Sequence, residues 1–344
     1  MSGGHALLLA ASAFLGVGVP WLSMRMLMPS LEDAQKSHAT NFRGVRVSYG
    51  LGIVWFVWAG CAIVCGVLSS ATGVAPVMGL LMFAGLLALV AFTAGVVDDA
   101  YGSSAARGFA GHLKAMAKGR LTTGGLKLIA IGAASLVVSL MMAQVAPWGV
   151  AADASGSGPL TASSVGWALV AGAAIALTSN LLNLLDLRPG RALKVYSLLG
   201  AGGVLSAGVM LSASPIGQRF GASPGDGIVT LLGLTLFVFG PVIAVWPFDL
   251  GERGMLGDAG ANPMGVVAGL LIVSGLPAWG LVAYLVFVLG LNLLSERVSF
   301  TKVISSVPVL RALDEAGRSC GRRGTGEPHG RSEESSPDPG TEPE

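Results

Sequence analysis

VVDDAYGSSAARGFAGHLKAMAKGRLTTGGLK, residues 96–127, joins two long apolar runs through two adjacent carboxylates, five Lys or Arg side chains and a histidine. Ionised groups beside hydrocarbon are costly and need a reason to be there. An acid pair facing a basic cluster suits a phosphate-bearing ligand held with a divalent metal.

Working outward, apolar runs near 74–97 and 125–146 flank this stretch. Others lie near 6–28, 50–70, 163–185, 195–213, 227–247, 263–276 and 277–295. A spanning helix needs about 20 apolar residues. The chain is 53% hydrophobic and only 12% charged, against about 25% charged in soluble domains. These features predict an all-α, polytopic helical membrane protein with about nine transmembrane helices. Its many glycines suit close helix–helix approach. No Lys or Arg precedes the first apolar core, so that run is read as a span and not as a secretory signal.

Of the 21 Lys and Arg residues, only Arg219 falls in a loop of the opposite parity to the others. The positive-inside rule then places the N-terminus outside and the C-terminus inside, in the plasma membrane. Asp98 and Asp99, then Asn180, Asn183 and Asp186, then Asp258 all fall at the cytoplasmic ends of their spans. Residues 1–297 form the expected transmembrane catalytic domain. Segment 298–314 mixes apolar and basic residues, as an interfacial segment does, and 315–344 has the composition of a disordered tail. Cys61 and Cys65, four apart in an apolar run, read as packing residues.

Adjacent helical residues point about 100° apart, so Asp98 and Asp99 take different jobs, one meeting a metal and the other a proton or a lysine. Lys114 and Lys118 share a helical face and, with His112, offer charge-assisted bonds to a diphosphate. Thr122 or Thr123 caps the helix that carries Lys127. Asn180, Asn183 and Asp186 recur at steps of three and lead to Arg188, Arg191 and Lys194, a rim facing metal and nucleotide. Asp258 stands in a Gly-flanked turn, and Asn262-Pro263 reads as the start of the following helix.

The ordered set DD at 98–99, GHLKA at 111–115, TTGxxK at 122–127, NxxNxxD at 180–186 and GDxG at 257–260 resembles the polyprenyl-phosphate N-acetylhexosamine-1-phosphate transferases. NFRGVRVSYGLG at 41–52 is similar to that family's first cytoplasmic loop. The resemblance implies that a lipid phosphate attacks a UDP-amino sugar and UMP leaves. It implies catalytic roles for Asp98, Asp99, Asp186 and Lys114, and substrate binding by Asn180, Asn183, His112, Lys118, Arg188 and Lys127. Asp258 and Asp99 would ligate magnesium, with manganese as the alternative ion. The expected partners are a UDP-N-acetylhexosamine, polyprenyl phosphate and the membrane, with no nucleic acid; a homodimer is allowed. A transporter of a lipid-linked or anionic solute, or a non-catalytic relative of the same fold, are the competing readings. The family's histidine-rich loop for a pentapeptide-bearing sugar has no counterpart here, where the histidines are His5, His38, His112 and His329. A small UDP-amino sugar is therefore the expected donor.

Overall fold

The computed structural model describes residues 2–34, 38–73, 76–102, 108–143, 148, 161–213 and 224–318. The described residues are all-α apart from one hairpin. Helix α1 spans Gly3–Asp33 and is π-helical over Ala13–Gly18. Strands β1 (His38–Thr40) and β2 (Arg46–Ser48) follow, then α2 (Ile53–Thr72), α3 (Leu80–Tyr101), short α4 (Gly108–Ala117) and α5 (Thr123–Met142). Next come α6 (Ala162–Leu185), α7 (Arg191–Ala213), α8 (Pro224–Leu250), α9 (Asp258–Gly275) and α10 (Ala278–Ser295). Two short helices, α11 (Phe300–Ser306) and α12 (Pro308–Glu315), end the described chain.

Seven of these helices, α1, α2, α3, α5, α6, α8 and α10, are long and apolar enough to cross a membrane. Helices α7 and α9 match the two remaining apolar runs. Helix α9 is the axis of the bundle: its residues from Gly260 to Gly275 are all buried, and it packs most extensively on α3, α6 and α7. Small side chains make this approach possible, as expected where helices pack without a hydrophobic drive between them. At Gly95 of α3, an added Cβ would lie 2.5 Å from the carbonyl oxygen of Asp258. Trp55, Trp58, Tyr196 and Phe237 fill the buried space between α2, α7 and α8, and the Trp58 indole donates to the Phe237 carbonyl at 2.7 Å.

Helix α9 begins earlier than the sequence pattern suggests. Asp258 is its first residue and Pro263 lies inside it, so Asn262-Pro263 is not the helix start. The Asp99 carboxylate reaches across from α3 to the Asp258 and Ala259 amides, at 3.0 and 2.9 Å. A cap supplied by another helix leaves no local signature in the sequence.

The hairpin was not anticipated. Its turn is closed by Asn41 Oδ1, which accepts from the amides of Arg43 and Val45. Beyond it, the Met255 amide donates to the Ser48 carbonyl at 2.8 Å, and the Leu51 amide to the Met255 carbonyl at 3.2 Å. These bonds dock Tyr49 beside the entry to α9. Ion pairs Arg253–Glu32 and Arg43–Glu252 join the same end of the bundle. Of the expected tail, Glu315 closes α12 and Arg318 donates to the Pro189 carbonyl; residues 319–344 lie outside the described residues, as do Arg107, Arg219 and most of the 147–162 and 214–226 loops.

Candidate active site

Four stretches far apart in sequence meet at one end of the bundle. Asp98 and Asp99 close α3, Lys127 lies in the first turns of α5, Asp186 caps the C-terminus of α6, and Asp258 opens α9. Lys127 is the centre. Its ammonium lies 2.7 Å from Asp98 Oδ2 and donates to Asp258 Oδ2. The lysine is 7% exposed, so its charge is largely cut off from water and balanced by these two carboxylates. A buried charge is tolerated only when so paired.

The two members of the acid pair do diverge, as their 100° offset requires. Asp98 turns to Lys127. Asp99 turns to α9, where it accepts the two helix amides and, at 2.7 Å, the Tyr49 hydroxyl. Three donors therefore hold Asp99 as a cap, a positioning role where a metal-ligand role was expected. Gly257 permits this approach: its φ is +64°, and a Cβ there would stand 2.6 Å from the Tyr49 ring and 3.0 Å from Asp99 Oδ2. Burial, and then the adjacent Asp99 charge, raise the Tyr49 hydroxyl above its usual pKa, so it stays protonated and donates.

Asp186 faces the Gly257 amide and the carboxylates of Asp249, Asp258 and Asp99. Burial, then repulsion from Asp249 and Asp258, hold its carboxyl well above the ordinary range. Asp249 accepts from the Gly190 amide at 2.6 Å, which pins the loop after Asp186. Arg188 stacks 4.0 Å from the centroid of the Phe42 ring, placing the hairpin tip over this loop.

Asn180 lines a small hollow with Lys127, Ser179 and Asn262, and its amide donates to Asn292 Oδ1 of α10 at 2.7 Å. Asn183 is half-buried one turn before Asp186. Thr122 is the cap of α5: its hydroxyl accepts from the Gly125 amide and lies 2.8 Å from His112 Nδ1. His112 thus braces the helix that carries Lys127. Lys114 and Lys118 are exposed on and just beyond α4, and the structure does not bring them into the carboxylate cluster.

Tyr49, Asp249, Phe42 and Asn292 escaped the reading of the sequence. Asp249 carried a usable signal, a carboxylate ending an apolar run, the same signal that marks Asp98. Phe42 and Tyr49 lie in the stretch 41–52 that resembles a family loop, but nothing there marked either side chain singly, and Asn292 carried no signal.

Among the described residues, no three His, Cys, Asp or Glu side chains are grouped to hold a metal ion as they stand. Asp98 and Asp258 nevertheless converge on one cationic centre, the Lys127 ammonium. Their oxygens are the donor type a hard divalent ion takes, so the residues fit magnesium in kind. Scans against protein-family models and against curated proteins found no match to this chain. The site therefore rests on its own geometry.

Proposed function

We propose that this chain is a membrane transferase that moves a sugar-1-phosphate from a UDP-amino sugar to polyprenyl phosphate and releases UMP. The observation that carries the reading is the convergence of Asp98 and Asp258 on Lys127, with Asp186 beside Asp258, at the basic end of an apolar bundle. On the positive-inside rule that end is cytoplasmic, where a water-soluble nucleotide and a lipid phosphate can meet. A transporter would gather its polar groups near the membrane midplane.

In the reaction, a lipid phosphate oxygen forms a bond to the β-phosphorus of the donor. The bond from that phosphorus to the oxygen bridging the α- and β-phosphates breaks, and UMP leaves with the oxygen. Such transfers depend on positioning and charge neutralisation more than on covalent help. Asp98 and Asp258 would hold magnesium, whose bound charge would offset that of the diphosphate. Lys127 supplies a second cation at the same place. Asp99, locked by Tyr49, accepts the first amides of α9 and so holds Asp258 in place beside Lys127. Burial and the carboxylates beside it raise the Asp186 pKa, which favours the form that can donate a hydrogen bond without adding negative charge.

Radiolabelled donors presented side by side to the purified protein, with polyprenyl phosphate and magnesium, test the substrate. UDP-N-acetylglucosamine or a close relative is expected to turn over much faster than the UDP-muramoyl-pentapeptide. Preference for the pentapeptide donor would overturn the small-donor reading.

A further inference from the structure

Away from the carboxylate cluster, a cavity of about 700 Å³ lies where the C-terminal segment folds back onto the start of α7 and the end of α8. Its walls are Val195, Leu198, Trp246, Ile304, Leu310 and Leu313. Leu198 is 74% and Leu313 61% exposed, so the apolar walls are open to whatever surrounds the bundle. A hydrocarbon chain can reach them from the side.

The rim of this cavity is cationic. Arg191 donates to both oxygens of Asp314, at 2.8 and 2.9 Å, and Arg318 Nη2 lies 2.8 Å from the same carboxylate. Among the described residues Lys194 has no carboxylate partner of its own: its ammonium donates to the carbonyls of Leu313 and Asp314, at 2.9 and 2.8 Å. Arg191, Lys194 and Arg318 thus face two carboxylates, Asp314 and, farther off, Asp249, an excess of one positive charge. Lys194 and Leu198 stand about one helical turn apart on α7, so charge and apolar wall are stacked along one axis. Trp246, in the last turns of α8, is of the residue type enriched at membrane interfaces.

We infer that this cavity binds an anionic glycerophospholipid, its phosphate at Lys194 and an acyl chain along Leu198 and Trp246. Basic pockets between spanning helices on the cytoplasmic side are suited to such head groups. A soluble anion would leave the apolar walls bare, and a zwitterionic lipid would leave the excess charge unneutralised. The chain's own segment 319–344 carries no apolar run with which to fill the space. This assignment does not depend on the transferase reading, because none of the lining residues belongs to the carboxylate cluster.

The test is native mass spectrometry of the full chain in mild detergent, titrated with phosphatidylglycerol, chain-matched phosphatidylcholine or polyprenyl phosphate. One phosphatidylglycerol should be retained at concentrations where phosphatidylcholine is not. Lys194→Gln should weaken that binding about fivefold, the worth of one basic side chain near a lipid surface, while Lys194→Arg preserves it. Leu198→Trp, at an exposed position that tolerates bulk, should weaken it by narrowing the cavity with the basic rim intact. Circular dichroism confirms that each variant is folded. Equal retention of the two phospholipids, or binding unchanged in both Lys194→Gln and Leu198→Trp, would overturn the site. Stronger retention of polyprenyl phosphate than of phosphatidylglycerol would overturn the choice of lipid.

Discussion

Lys127 is the residue on which the site closes, and its environment makes its removal informative. Lys127→Met would leave Asp98 and Asp258 facing each other without their shared cation. Breaking a buried ion pair from one side costs about 3–5 kcal/mol, and chemical denaturation in detergent should show a loss of that size along with loss of activity. Tyr49→Phe is a milder change that removes one hydrogen bond to Asp99. It should cost about 1.5–3 kcal/mol, the range for a bond to a charged group, and an unchanged stability would contradict the positioning role. Asp186 behaves in the opposite sense. Folding raises its pKa, so the folded chain binds the proton more tightly, and stability falls as pH rises through the window above the ordinary carboxylate range. Asp186→Asn should therefore raise the melting temperature at neutral pH while lowering activity, with the gain vanishing near pH 4, below which both states are protonated. A lower melting temperature at pH 7 would contradict this. The acids were legible in the sequence because a carboxylate beside an apolar run has few inexpensive explanations. Lys127 was legible as a basic residue of the site; its place between Asp98 and Asp258 was not, because a lysine near a helix start reads the same whether it faces water or a carboxylate.

At the scale of elements, the clustered charges of the site sit at helix ends: the last turn of α3, the first turns of α5 and α9, and the cap of α6. Apolar runs locate such ends to within a turn, which is why the helices themselves were readable. The start of α9 was not, since the donors and acceptors that fix it come from Asp99 on α3 and from the strand leading out of the hairpin. A hairpin of two three-residue strands is too short to show an alternating pattern, and its register depends on Asn41 and on pairing with residues two hundred positions away. The interfacial expectation for 298–314 met α11 and α12, whose Asp314 joins Arg191 of α7. Burial works against the ionised Asp314 carboxyl, but its hydrogen bonds to Arg191 and Arg318 hold it below the ordinary carboxylate range. Its contribution to docking is present above that range and lost as pH falls through the lowered value.

For the whole molecule, the sequence showed the parity of the loops, and the structure brings the ends of that parity together: Glu32 meets Arg253, Asp98 meets Lys127, and Arg191 meets Asp314. At the far end, His5 of α1 pairs with Asp226 of α8 at 3.0 Å. Reporters fused after Lys118, Arg191 and Arg253 should all read cytoplasmic and one at Ser155 external; Ser155 and Arg191 on the same side would contradict nine crossings. The central claim, that the acids around Lys127 perform phosphoryl transfer on a UDP-amino sugar, is tested most directly by measuring UMP release from UDP-N-acetylglucosamine with polyprenyl phosphate, comparing wild type with Asp258→Asn. The expected result is magnesium-dependent UMP release by the wild type, matched by formation of a lipid-linked sugar diphosphate. In a variant that remains folded, release should fall by roughly two to three orders of magnitude, the scale lost when preorganised charge stabilisation is removed. Equal, magnesium-independent release from both proteins, or none from either, would contradict the account.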